Sequence, residues 1–181
     1  TYYYAIYLTS VGYSLPLCHF SKSKLSKIQK KAINAIFSKC GFNRNTHRAI
    51  LYGSPRYAGA SFRHLYTEQG VGQILAFLKY WRTPGQQGTS LRIALAWSQL
   101  AAGTSQSILV DVTTPLPHLE SLWIASLRAY LATISGELEI DTSYIPPLQR
   151  ENHAYIMEVI LASGLFTDRE ICLLNYCRTY L

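Results

Sequence analysis

The sequence predicts an all-α protein: an irregular multi-helix bundle, or two small helical lobes meeting near residues 83–89. Three observations carry this. Apolar residues recur at spacings of three and four along most of the 181 residues, and Ser, Thr, Gly and Pro punctuate the runs. Only Ser107–Val112 has a strand-like composition, and Thr114-Pro115-Leu116-Pro117 ends it at once. At 49% hydrophobic the chain can build a core. Its 15% charged residues fall short of the usual share of about a quarter, as expected when part of the surface is covered by something else.

Residues 1–18 carry no charge, yet they read as neither a membrane span nor a signal peptide. Gly12 and Pro16 interrupt the run, tyrosines 2, 3, 4, 7 and 13 load it with phenols, and no basic stretch precedes it. It reads as a core helix or strand whose earlier partners are missing, in keeping with a chain that opens on Thr1 and is expected to come from a longer protein.

Ser21 or Ser23 can then cap a helix through Phe37, with Gly41 in the position of a C-terminal stop. Its apolar stripe is read as Leu25, Ile28, Ala32 and Ile36. Lys24, Lys27 and Lys31 repeat on another face, with Lys22 and Lys30 beside them. A turn over residues 41–45 leads to a short helix from Thr46 to about Gly53, and Ser54–Gly59 reads as a loop. Ser61 is expected to cap the next amphipathic stretch, Gly70 and Gly72 to break it, and Val71–Trp81 to resume it.

Thr83–Gly88 is the clearest linker. Beyond it, helices are expected over Ser90–Ala102 (stopped by Gly103), His118–Ile134, Gln149–Ala162 and Asp168–Leu181. Thr167 and Glu170 form a capping box before the last. The organisation is therefore a basic helical region over 1–82, a linker over 83–89 and an acidic helical region over 90–181.

Charge is the strongest functional signal. The net +7 hides an asymmetry: residues 1–82 hold 12 Lys and Arg against Glu68 alone, whereas residues 83–181 hold 5 against 9 acids. Such a basic half implies a polyanionic partner, nucleic acid first and an anionic membrane surface second. Lys22, Lys24, Lys27, Lys30, Lys31, Lys39, Arg44, Arg48, Arg56 and Arg63 are the candidate phosphate-binding residues, with Tyr52, Tyr57 and Phe62 among them as candidates for stacking.

Enzyme chemistry finds little support. Glu137-x-Glu139-x-Asp141 is the one dense acidic cluster, but it follows Gly136 in a connector with no His or Lys nearby. The cysteines at 18, 40, 172 and 177 and the five histidines match no zinc spacing. There is no GxSxG, phosphate-binding P-loop or GxGxxG. A stand-alone enzyme ranks last, behind an all-α protein-interaction module built on the helices from 118 to 181.

Tyr13-Ser14-Leu15-Pro16 followed by Leu25-x-x-Ile28-Gln29 in a basic helix resembles the segment after the polymerase palm in non-LTR-type retroelement reverse transcriptases. Lys39-Cys40-Gly41-Phe42-Asn43-Arg44-Asn45, Tyr52-Gly53, the run Gly59–Tyr66 and Glu68-Gln69-Gly70 resemble the same region in retroelement polyproteins of diatoms and water moulds. Pro115–Ser121 and Leu174–Arg178 extend the resemblance over nearly the whole chain. It implies a helical thumb that grips template–primer duplex, RNA–DNA or RNA, and packs against the palm of the same polyprotein. It also implies catalytic aspartates and Mg²⁺ in that palm, outside this chain, and no enzyme activity of its own. No Asp-Asp pair occurs here. Free cysteines and the missing signal peptide lead to an expected cytoplasmic or nuclear location.

Overall fold

The computed structural model describes residues 3–37, 39–43, 45–140, 144–148 and 150–180. Among them the fold is all-α, with no strand. A π-wound turn over Tyr3–Leu8 runs into α1 (Thr9–Gly12). Then follow α2 (Lys22–Phe37), α3 (Arg48–Tyr52), α4 (Leu65–Arg82), α5 (Gln86–Ala102), α6 (Leu122–Ile134), α7 (Ile156–Ser163) and α8 (Asp168–Tyr180). The chain divides into two compact units, Thr1–Ala76 and Phe77–Leu181, at a point within α4. Residues 86–88, read from the sequence as linker, form the first turn of α5.

In the first unit, Tyr3, Ile33, Phe37, Leu51 and Phe62 form an apolar core, with Tyr7, Ile36, Phe42, Tyr52 and Ala60 packed against it. Ser21 caps α2 through Lys24 N, as expected, but the buried row of that helix is Leu25, Gln29, Ile33 and Phe37. Ile28, placed by the sequence reading in the apolar stripe, is 43% exposed. Gln29 takes the inner position because its amide is fully used: Oε1 accepts from Leu65 N and Nε2 donates to Arg63 O. A buried polar side chain with both ends paired costs little.

His47 caps α3 by accepting from Ala49 N. Residues 60–62 then fold back, with their N–H groups on the carbonyls of Ile50, Gly53 and Leu51. Ser61 is therefore no helix cap. It sits in the left-handed region at φ +54, where a cap residue is extended, and α4 begins four residues later.

Nor do Gly70 and Gly72 break α4, which runs unbroken from Leu65 to Arg82. At Gly72 a Cβ would stand 2.7 Å from Pro16 Cγ, so glycine serves close packing rather than a stop. The same seam is closed by side-chain amides. Gln69 exchanges hydrogen bonds with both main-chain groups of Phe20, and Gln73 donates to Cys18 O.

In the second unit, Gly103 ends α5 in the left-handed conformation, and Thr167 with Glu170 forms the expected capping box of α8. Two helices are shorter than their periodicity implied. Ser121 caps α6 by accepting from Ile124 N, leaving His118 outside the helix, and α7 begins only at Ile156. Residues 107–112 form irregular turns because side chains take their main-chain groups. Gln99 Oε1 accepts from Ile108 N, and the buried Arg128 guanidinium donates to the carbonyls of Ile108, Asp111 and Thr114.

Candidate nucleic-acid interface

At about 100° per residue, Lys24, Lys27 and Lys31 project from the side of α2 opposite its buried row. All are exposed, as are Lys22 and Lys30. The helix has no acid in its first turn, and none occurs anywhere along Lys22–Phe37. Lys22 Nζ also lies 5.7 Å from the centroid of the Tyr66 ring, a cation–π arrangement that holds the stem of the side chain near the start of α4.

The remaining candidates are distributed over the same unit. Lys39 follows the end of α2 and lines an apolar cavity with Tyr3, Tyr4, Ile36 and Phe62. Arg48 opens α3, and Arg56 sits in the short 3₁₀ turn Pro55–Tyr57. Arg63 pairs with Glu68 at 3.3 Å, the one ion pair among the described residues. Glu68 is also the single acid of residues 1–76, so its charge is already matched within the unit. Arg44 lies outside the described residues, and so does Asp141 of the acidic cluster.

The stacking candidates separate sharply. Tyr57 is 88% exposed, beside Arg56, and free to lie against a sugar or base. Tyr52 is half-buried and meets the His64 ring edge-on at 5.5 Å. Phe62 is no surface aromatic: it is buried against Tyr3 at 4.6 Å and Phe37 at 6.3 Å. Its place in the core follows from the fold-back of residues 60–62 onto α3.

The sequence reading passed over His64, which belongs to no histidine motif. Burial pushes its pKa below the ordinary value, and Lys22 and Arg48 push it further down. The imidazole is thus held neutral in a positive field. The same field is opposed at Tyr52, where burial raises the phenol pKa and Arg48 lowers it. Lys30 and Arg48 come together on the wall of one cavity, a pairing that no sequence spacing announces.

Among the described residues no group of three or more His, Cys, Asp or Glu is placed to hold a metal ion. No helix there is long and apolar enough to cross a membrane. No protein-family model matches the chain, and neither does any curated protein or solved structure.

Proposed function

We propose that this chain is a thumb-like region from a non-LTR-type retroelement reverse transcriptase, gripping template–primer duplex through its phosphates. The observation that supports it best is the free lysine face of α2. Lys24, Lys27 and Lys31 stand opposite the buried row on a helix without acids, in a unit whose single acid is paired with Arg63. Ammonium groups at this spacing neutralise successive phosphates without reading bases. The catalytic aspartates and the metal ions would belong to the palm of the parent polymerase. Ile6, Tyr13 and Leu17 present apolar surface that such a palm could cover.

The experiment is fluorescence anisotropy of a short RNA–DNA duplex with the 181-residue chain. Binding in the micromolar range is expected at about 50 mM salt, weakening roughly a hundredfold by about 200 mM if about four phosphates are neutralised. The triple variant Lys24→Glu, Lys27→Glu, Lys31→Glu should lose this binding. If it binds duplex as tightly as the parent chain, the thumb reading fails.

A second reading has an observation of its own. Leu122, Ile156, Val159 and Leu173, on α6, α7 and α8, are each more than half exposed. Apolar side chains left outside on helices suit a protein-interaction module. Duplex binding that is absent at low salt, from a folded chain, would favour this alternative.

A further inference from the structure

A cavity of about 190 Å³ opens between α2 and α3. Ser26, Lys30 and Asn34 line it from α2, Arg48 and Tyr52 from α3, and His64 from the segment before α4. No carboxylate among the described lining residues balances the two cations, and the nearby Glu68 is engaged by Arg63. A cleft that gathers an ammonium, a guanidinium, hydroxyls and a side-chain amide, without an acid, is chemically complementary to an oxyanion. Its floor is apolar and well supported, since Ile33, Phe37 and Leu51 all belong to the core.

We propose that this cavity binds a phosphate monoester, with Lys30 and Arg48 as the charge partners and Ser26 and Tyr52 as hydroxyl donors. Charge favours a monoester over a chain-internal diester: a monoester is close to a dianion at neutral pH, matching two cations where a diester brings one charge. The source is either a free small phosphate or the phosphorylated end of a strand. On α2 the site borders the lysine face, with Lys30 about 60° around the helix from Lys27, whereas Lys24 stands about 120° from Lys30 and outside the lining.

His64 supplies the readout. It is faced by Lys22 and Lys30 from α2, by Arg48 and Tyr52 from α3, and by Arg63 and Glu68 beside it in the chain. A bound dianion offsets the cations that now disfavour the imidazolium, so phosphate binding should raise the pKa of His64.

The test is a pH titration of the histidine ring signals by NMR on the 181-residue chain, with inorganic phosphate as the probe and ionic strength held constant. Phosphate in the millimolar range should raise the His64 pKa. Arg48→Gln should weaken the effect about tenfold, as expected for loss of a charge-assisted pair. Lys24→Gln, outside the lining, should leave it unchanged. Both positions are exposed, and the amide spectrum reports whether each variant remains folded. No movement of His64 in a folded chain, or equal movement in Arg48→Gln, overturns the proposal.

The source is read by competition. Displacement of inorganic phosphate by a 5′-phosphorylated oligonucleotide assigns the site to strand ends. Displacement by a mononucleotide alone assigns it to a small molecule. An oligonucleotide without the 5′-phosphate that competes equally well shows diester binding and overturns the monoester assignment. Anisotropy with unphosphorylated duplex reports on the lysine face separately.

Discussion

Gln29 and Leu65 stand 36 residues apart, and the side-chain oxygen of Gln29 accepts the buried main-chain N–H of Leu65 at 3.0 Å. The other end of the same amide donates to Arg63 O at 2.9 Å, so one side chain in α2 positions the first turn of α4. Gln29→Leu keeps the volume and removes both partners. It should destabilise the protein by about 2–4 kcal/mol, because two main-chain groups lose their partners. Chemical denaturation should show the loss as a lower midpoint with an unchanged slope.

Arg128 plays the corresponding part in the second unit. It is 5% exposed, and burial lowers its pKa while Asp111 raises it. Arg128→Met should cost about 3–4 kcal/mol by stranding carbonyls of residues 108–114. Arg128→Lys should not rescue it, since an ammonium lacks the planar fork that spans three carbonyls. A lysine variant as stable as the parent would show that charge alone suffices.

The helix boundaries show what was legible in the sequence. The capping box at Thr167 and Glu170 and the stop at Gly103 are local, so a few adjacent residues announce them. The lysine face of α2 was legible because it needs only helical spacing. The choice of Gln29 over Ile28 for the interior was not, because it depends on main-chain groups 34 and 36 residues away. In the same way, Gly72 reads as a break until Pro16 is seen against it, and the strand-like composition of residues 107–112 gives no hint of the turns whose carbonyls Arg128 takes. The cavity shared by Lys30, Arg48 and His64 was hidden for that reason too.

Two glycines should respond in opposite directions to alanine. Around Gly12 a Cβ would meet nothing within 4 Å, so Gly12→Ala should stabilise by about 0.4–1 kcal/mol through the unfolded chain. At Gly72 the Pro16 ring must move, and the stiff ring should turn the same helix-propensity gain into a net loss. Thermal unfolding of the two variants side by side checks both signs.

His118 should make stability depend on pH. Its Nε2 donates to Ala102 O at 3.1 Å, and its Nδ1 is buried with no partner among the described residues. Burial lowers its pKa below 6.5, the Ala102 hydrogen bond opposes this, and Arg178 and Arg128 reinforce it. The unfolded chain therefore takes up a proton at a higher pH than the folded one. Stability is fully present above 6.5 and is lost as pH falls through that value towards the folded pKa. His64 acts in the same direction. The denaturation midpoint should drop between about pH 7 and about pH 5, and His118→Gln, which keeps a donor for Ala102, should flatten that slope.

Arg178 closes the C-terminal end of α5, donating to Leu100 O at 2.9 Å and Ala101 O at 2.8 Å from α8. The partners are 78 and 77 residues apart, so α5 emerges from the ribosome long before its terminal carbonyls can meet the guanidinium. At synthesis rates of about 5–20 residues per second, those two carbonyls wait several seconds for the guanidinium, while Gly103 caps the helix locally through Gln99 O. Residues 104–177 must be made in that interval, so these two hydrogen bonds join the fold only after nearly the whole chain has been synthesised.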